Sequence, residues 1–341
     1  MRHAFIALVC AFGPRQKTRG RNGIHSGKTW AQTIVPGLLS LTLVIAGCGA
    51  GSTRSAPATT SSAPARVSGA KVSVVAAENF WGSIATQLGG DHAAVTSIIS
   101  NPDTDPHDYE PTPADARTIA SAQYVIVNGI GYDPWAPKLL AANPPNGRVV
   151  LTVGDLVGVN EGGNPHRWYS PTDVQKVIDQ ITKDYQRLDP ADAEYFDAQR
   201  TAYVTKSLAT YANLISTIKA TYAGTPVGAS ESIFAPLAQE LGLNVITPAA
   251  FLNAISEGTD PTAADKATID AQIKNKQIKV YVYNSQNATP DVQAQIDAAK
   301  AKGIPVATIT ETLDPPTATF QDWQTAQLQA LQAALAKGTG K

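Results

Sequence analysis

The sequence predicts an α/β protein with two lobes, each a mostly parallel sheet flanked by helices. Two observations lead to this class: strand-like and helix-like segments alternate in two separate series, and one long helical stretch lies between the series. A chain of 341 residues with 43% apolar residues is long enough to bury two modest cores. We therefore expect two lobes joined by a rigid helix, with a cleft between them.

The first series begins near residue 71 with a short β-branched run. Such runs favour strands, whereas apolar residues at helical spacing favour helices. These patterns predict strands over 71–77, 94–99 and 124–128 and helices over 80–88 and 113–121. Strands that alternate with helices usually pair in parallel, so this series predicts one parallel sheet.

The same alternation returns in the last third of the chain. The second series predicts strands over 225–229, 244–246, 278–284 and 305–309 and helices over 233–241, 262–275, 290–302 and 320–336. It therefore predicts a second parallel sheet with its own flanking helices.

One long helix is predicted between the two series, over residues 190–223. Its apolar residues recur at helical spacing, and no glycine or proline follows Pro190 until Gly224. At 1.5 Å per residue such a helix is roughly 45 to 50 Å long. We expect an N-terminal lobe over 71–189, this rigid helix, and a C-terminal lobe over 224–341, with only a small closing motion.

The first 47 residues have the composition of an export signal. A basic lead-in without acidic residues precedes an apolar run, residues 34–47, that is too short to span a membrane. The run leads into Ile45-Ala46-Gly47-Cys48, which resembles a bacterial lipobox. We expect residues 1–47 to be a lipoprotein signal peptide and Cys48 to carry the lipid that anchors the protein at the extracytoplasmic face of the cell membrane. The alternative is an ordinary signal whose cysteine has no role.

Composition excludes several kinds of site in the folded part of the chain. Residues 48–70 are rich in Ser, Thr, Ala and Pro without apolar periodicity, which predicts a flexible tether. The two cysteines, Cys10 and Cys48, lie before the folded part, so a disulfide or a thiolate metal site is excluded there. A net charge of −1 and the lack of a basic stripe exclude a nucleic-acid groove.

Two of the three histidines after the signal occur in similar settings. His107 in DPHDY and His166 in NPHRW each follow a proline and precede a helix start of the type Thr-Pro or Ser-Pro. In open α/β lobes, ligands bind in the loops at the carboxyl ends of the strands, where both imidazoles are expected. The alternative for each is a loop histidine that bonds a backbone carbonyl, and His92 in GGDHAAV fits that alternative better.

Five stretches, in this order and spacing, resemble a known family. They are DPHDYEPTPAD, NGIGYDPW, NPHRWYSP, ASESIFAPLAQELGL and ISEGTDPT, and the resemblance extends over nearly all of residues 71–336. The family is the metal-binding lipoproteins of zinc and manganese ABC importers, cluster A-I, in the group with a long helix between the lobes. The resemblance implies a monomeric binding protein, not an enzyme, that captures a divalent metal ion in the cleft and delivers it to an ABC permease in the membrane.

The resemblance also implies a ligand set. In that family, two histidines of the first lobe and two ligands of the second lobe hold one cation. His107 and His166 match the two histidines. Glu231 matches a position that holds Glu in manganese-type members and His in zinc-type members. The fourth position departs from the pattern, because Asn287 stands where manganese-type members have Asp. Gln286 or water could fill that place instead. Two imidazoles and one carboxylate suit zinc best and manganese next.

Two other functions remain open from the residues alone. Two histidines and a glutamate also build catalytic zinc sites, which makes a zinc-dependent hydrolase an alternative, although the chain has no HExxH helix. A metal-binding surface adhesin is the other alternative. Binding separates them: a receptor binds one metal ion tightly without turnover, an enzyme turns over a substrate, and an adhesin with a vestigial site does neither.

We expect Cys48→Ser to release the protein from the membrane fraction into the medium, because the substitution removes the lipid attachment site. Fractionation and immunoblotting of cells that express each variant measure this. Cys10→Ser is the matched control, since Cys10 lies within the expected signal peptide. Retention of Cys48→Ser at the membrane contradicts the expectation.

Overall fold

Each lobe is built on a sheet of four parallel strands. The structure is a computed structural model that describes residues 69–102, 104, 106, 109–144 and 147–341. The expected signal peptide, the tether up to residue 68, Cys48 and His107 lie outside the described residues. The two parallel sheets with flanking helices confirm the predicted fold class.

The N-terminal lobe contains strands β1 to β4 and helices α1 to α5. The strands span Val72–Glu78, Ala93–Ile99, Tyr124–Val127 and Val149–Thr152, and the helices span Asn79–Gly89, Pro113–Ser121, Trp135–Ala142, Val153–Val157 and Pro171–Leu188. The strand order is β2-β1-β3-β4, so the chain enters at the second strand of the sheet. The predicted elements of this lobe are present with bounds that differ by at most one residue.

The central strand β1 shows why this sheet forms. It is buried along almost its whole length, as expected for a strand that helices cover on both faces. Val74 and Ala76 face the larger core with α1 and α5, and Val75 and Ala77 face a smaller core with α2 and α3. The parallel register aligns the carboxyl ends of all strands at one edge, which is where the site-bearing loops begin.

The segment between the lobes is helical but is not one continuous α-helix, which corrects the prediction for residues 190–223. After a short 3-10 turn, helix α6 spans Ala193–Ala202 and helix α7 spans Ala209–Tyr222, and a π-helical turn, Tyr203–Ser207, separates them. In this turn the amide of Leu208 donates to the carbonyl of Tyr203 at 2.9 Å, five residues back. Tyr203 and Leu208 are both buried, so the extra residue in the turn keeps both side chains on the core side.

The C-terminal lobe repeats the design with strands β5 to β8 and helices α8 to α12. The strands span Pro226–Ala229, Asn244–Val245, Tyr281–Asn284 and Val306–Ile309, and the helices span Ala235–Leu241, Ala249–Ser256, Ala263–Lys274, Pro290–Ala301 and Phe320–Thr339. The strand order is β6-β5-β7-β8, which repeats the order in the first lobe. No helix in the described part of the chain combines the length and the hydropathy that a membrane crossing requires.

Helix α5 begins directly after the His166 loop, and two partly buried ion pairs of Asp173 stabilise this start. Ser170 caps the helix by accepting from the amide of Asp173. The guanidinium of Arg167 and the ammonium of Lys176 both bond the Asp173 carboxylate. Burial alone raises the pKa of Asp173, but these hydrogen bonds and charges outweigh it and hold the pKa below its ordinary value.

We expect Asp173→Asn to lower the free energy of unfolding at pH 7 by about 2 kcal/mol, because it removes charge-assisted bonds to Arg167 and Lys176. Because the pKa of Asp173 is lower in the folded state than in the unfolded state, its ionised form stabilises the fold. This contribution is fully present above the ordinary carboxyl pKa of about 4 and is lost as the pH falls through the pKa of Asp173 in the folded protein. The difference between the two proteins should therefore shrink below about pH 4. Urea unfolding of the metal-free proteins at several pH values measures it.

Asp179→Asn is the matched control on the same helix. Asp179 pairs with Arg200 where both side chains are more than one third exposed, so its loss should change stability by less than about 1 kcal/mol. An equal loss in both variants, or a loss for Asp173→Asn that does not depend on pH, contradicts the assignment.

Candidate metal centre

His166 is held in one orientation by Asn164. The imidazole is fully buried, and Nδ1 lies 2.9 Å from Oδ1 of Asn164, which also accepts from the amide of His166. The Asn164 amide cannot be reversed, because its Nδ2 donates to the carbonyl of Ser232 at 2.7 Å. Nδ1 therefore carries the proton, and the lone pair of Nε2 points away from Asn164.

The imidazole is neutral at physiological pH. Burial lowers the pKa of His166 to about 4, because an imidazolium is poorly solvated in the interior. The charge of Glu231 acts in the opposite direction and that of Arg167 in the same direction. A neutral imidazole with a fixed tautomer has the form that binds a metal ion.

Glu231 follows strand β5 and is also buried. Its Oε2 accepts from Nδ2 of Asn287 at 3.0 Å, while Oε1 is buried without a hydrogen-bond partner within the residues described. Burial and, next, the charge of Glu311 raise the pKa of Glu231 to about 8, whereas His166 and the nearby asparagine amides act to lower it. A buried carboxylate of this kind favours a positive charge beside it.

Glu311 completes the cluster, and it was not among the ligands expected from the sequence. It follows strand β8, and its Oε1 lies 3.5 Å from Nε2 of His166. The same oxygen accepts from Nδ2 of Asn284 at 3.2 Å, and Oε2 accepts from the hydroxyl of Tyr132 at 2.9 Å. The carboxylate thus lies between the two lobes, next to the lone pair of His166.

Asn287, expected as the fourth ligand, has a different set of contacts. Its Nδ2 donates both to Glu231 and to the carbonyl of Ile255, so the side-chain nitrogen rather than the oxygen faces the carboxylate. Gln286 is occupied elsewhere, because its side-chain amide makes two hydrogen bonds with Thr312. The geometry supports Asn287 as a donor that holds Glu231, and Glu311 as the second carboxylate of the cluster.

The described residues give only part of a metal centre. Among them, no group of three or more His, Cys, Asp or Glu side chains is arranged to hold a metal ion by itself. His166, Glu231 and Glu311 are close enough that the charge of Glu231 shifts the pKa of His166 and that of Glu311 shifts the pKa of Glu231. His107 lies outside the described residues. His92 lies just before strand β2 and bonds the carboxylate of Asp192, not the backbone carbonyl that was expected.

A signal for Glu311 is present in the sequence. The pattern predicts a strand over 305–309, and Glu311 follows it by two residues. Side chains that follow parallel strands at their carboxyl ends meet at one edge of the sheet, and β5 and β8 both flank β7. Glu231 and Glu311 occupy equivalent places after these two strands.

The chain has two lobes built on parallel sheets, with a buried imidazole and two carboxylates between them. This arrangement is typical of two-lobed periplasmic metal-binding proteins. A family model described as zinc-uptake complex component A, periplasmic, matches residues 74–334. The chain belongs to this family.

Relatives of this chain are named for the binding or uptake of different metals. A manganese-binding lipoprotein, MntA, of Halalkalibacterium halodurans is 27% identical over 170 residues, which is 49% of this chain and 53% of that protein. A high-affinity zinc uptake protein, ZnuA, of Bacillus subtilis is 24% identical over 274 residues, 75% of this chain and 81% of that protein. The iron-binding protein YfeA of Yersinia pestis is 33% identical over 142 residues, 40% of this chain and 45% of that protein. The chain thus spans about half the length of the first of these relatives.

Solved structures show the same fold. The manganese-bound periplasmic metal-binding protein from Candidatus Liberibacter asiaticus superposes with a TM-score of 0.64 at 22% identity, and the match covers 78% of this chain and 100% of that one. The comparisons favour neither the hydrolase nor the adhesin alternative.

We expect Asn164→Ala to weaken the binding of Zn²⁺ about tenfold to a hundredfold, because the loss of the bond to Nδ1 frees both the tautomer and the ring of His166. A competition titration against a chromophoric chelator measures the affinity. Asn160→Ala is the matched control, since Asn160 lies in the same loop and is exposed. Equal affinities of the two variants contradict a role for Asn164 in orienting the imidazole.

Proposed function

We propose that this protein is an extracytoplasmic binding protein that captures one divalent first-row metal ion and delivers it to an ABC permease. The proposed ligands are His107, His166, Glu231 and Glu311. The observation that carries the proposal is the burial of two carboxylates beside the lone pair of a neutral imidazole, at the junction of the lobes.

The donor set fits such an ion. Imidazole nitrogen and carboxylate oxygen both bind zinc and manganese, and no thiolate is available in the folded part to favour softer metals. Two carboxylates close together in the interior repel one another, and burial disfavours the charge of each. A bound divalent cation would offset both the repulsion between the carboxylates and the cost of burying their charges. Relief of these two costs would add to the free energy of binding.

The identity of the cargo ion depends on which residue is the fourth ligand. The preference for zinc over manganese drawn from the sequence assumed a neutral amide from Asn287, whereas Glu311 brings a second negative charge. The names of the relatives include manganese, iron and zinc, so they do not choose among these metals. The proposal at this level is zinc or manganese as cargo, bound and released unchanged, with no enzymatic turnover.

Delivery requires that the protein stay near its permease. We propose that Cys48 provides this through a lipid anchor, with residues 48–70 as the tether, and that the protein acts as a monomer. Support comes from the lipobox-like sequence and from relatives that are named lipoproteins.

We expect saturating Zn²⁺ to raise the melting temperature of the metal-free protein, because a ligand that binds only the folded state stabilises it by mass action. At a hundredfold excess over the dissociation constant the gain is about 2.7 kcal/mol, or roughly 4 to 5 °C for a chain of this size. His107→Ala, His166→Ala and Glu311→Gln should each lose most of this shift. Differential scanning fluorimetry with and without chelator measures it.

His92→Ala is the control, because it removes an imidazole that bonds Asp192 and stacks on Tyr195, apart from the candidate ligands. It should keep the full shift. An unchanged melting temperature for the wild type at saturating metal would sink the proposed function, and a full shift in Glu311→Gln would remove Glu311 from the ligand set.

A further inference from the structure

The amino-terminal edge of the second sheet carries a concentration of exposed lysine. Helices α7, α10 and α11 lead into strands β5, β7 and β8, so they end at the amino ends of these neighbouring strands. Helix α12 ends beside them, because Nζ of Lys341 donates to the carbonyl of Thr221 at 3.2 Å and Gly338 packs closely on the carbonyl of Lys279. We call the exposed lysines at this edge the lysine surface: Lys219, Lys274, Lys276, Lys279, Lys300, Lys302, Lys337 and Lys341.

The charges of the lysine surface are not neutralised by neighbouring carboxylates. None of these lysines forms a salt bridge within the part of the chain that the structure describes. Acidic side chains at the same helix ends are fewer: Glu240 near the end of α8 and, one turn before the ends of α10 and α11, Asp270 and Asp297. The lysine surface is therefore positive on a folded body that contains all 28 Asp and Glu residues of the chain.

The helix dipole accounts for only some of these lysines. Lys219, Lys274, Lys300 and Lys337 each lie in the last turn of a helix, where a cation is favoured. The others follow the last helical residue. In the N-terminal lobe, helices α1 to α4 have no basic residue in their last turns, although the same rule applies to them. The concentration of positive charge in one lobe thus has a further reason.

The composition of the lysine surface indicates an anionic membrane rather than a protein as its partner. Its cations are all Lys and none is Arg, whereas protein interfaces are enriched in Arg and aromatic residues and depleted in Lys. Among the described residues, the large hydrophobic side chain that is exposed is Val150, which lies in the other lobe. A lysine ammonium binds phosphate as a compact point charge, and clusters of lysines are attracted to the phosphates of anionic lipids.

We propose that the lysine surface docks this protein on a membrane that contains anionic phospholipid, with the C-terminal lobe toward the bilayer. The candidate ligands Glu231 and Glu311 follow the carboxyl ends of the same sheet, so this orientation turns the junction of the lobes away from the bilayer. The lipid anchor proposed at Cys48 permits it, because a tether of residues 48–70 reaches about 75 Å when fully extended. The inference goes beyond the proposed function and does not depend on which metal is bound.

The test measures sedimentation of the protein with vesicles. The parent protein is the full chain with Cys48→Ser, so that a lipid at this position does not contribute. The vesicles contain phosphatidylcholine alone or with about one third phosphatidylglycerol as the anionic lipid. The surface variant removes lysines that are exposed and lie outside helices, through Lys276→Gln, Lys279→Gln, Lys302→Gln and Lys341→Gln.

Each lysine near an anionic surface strengthens binding roughly fivefold. We therefore expect the surface variant to bind the anionic vesicles at least about tenfold more weakly than the parent protein. The parent protein should not sediment with the neutral vesicles. Added salt should weaken its binding to the anionic ones, because salt screens the charges.

The matched control makes the same change in net charge with exposed lysines outside the lysine surface: Lys71→Gln, Lys138→Gln, Lys183→Gln and Lys206→Gln. It should bind within about twofold of the parent protein, since charges farther than a Debye length from the bilayer are screened. Equal weakening in both variants attributes the binding to overall charge and overturns the inference. A parent protein that binds neither kind of vesicle, or both equally, overturns it as well.

A protein partner is the competing outcome. If the parent protein does not bind vesicles and the surface variant lowers metal uptake by cells, the lysine surface contacts a protein and the membrane assignment is overturned. The affinity for Zn²⁺, measured by competition titration, should be the same in the parent protein and both variants, because the lysine surface lies at the opposite edge of the sheet from the candidate ligands. A failure of the proposed function would appear in that titration and not in the vesicle binding.

Discussion

The hydrogen bond from Tyr132 to Glu311 joins the lobes at the point where the cluster forms. Its donor belongs to the N-terminal lobe and its acceptor to the C-terminal lobe, 179 residues away along the chain. Two further bonds cross the same junction, from Asn164 to the carbonyl of Ser232 and from the hydroxyl of Tyr169 to the carbonyl of Thr310. Since these residues lie beside His166, Glu231 and Glu311, the mutual position of the candidate ligands depends on the lobes remaining in contact.

Charge inside this junction is the constraint that the fold has to tolerate. Two carboxylates and one imidazole are buried together, and burial acts against the charged form of each. Neutral donors compensate in part: the amides of Asn284 and Asn287 and the hydroxyl of Tyr132 all bond carboxylate oxygens. Amides and hydroxyls satisfy the oxygens without adding charge, so the cluster keeps its affinity for a cation.

The connection between the lobes is helical, and the lobes also contact each other directly. Helices α6 and α7 with the π turn between them replace the single helix that was expected, yet within residues 190–222 only Leu208 lies outside a helical element. Helix α1 of one lobe also contacts α12 of the other. The side-chain amides of Gln87 and Gln321 donate a hydrogen bond to each other. A helical connector and direct contact between the lobes both favour a small change of shape on binding.

Periodicity and composition by themselves determined the two parallel-sheet lobes, because the alternation of strand and helix patterns is a local property of the chain. The same local reasoning placed His166 in a loop at the carboxyl ends of strands, the family resemblance added Glu231, and the structure brings these two side chains together. Only the tertiary structure shows that the Asn287 amide nitrogen faces Glu231 and that the Glu311 carboxylate lies beside His166, because both residues follow strands and only packing orients their side chains. The π turn also depends on the tertiary structure, because it places the side chains of both Tyr203 and Leu208 in the core.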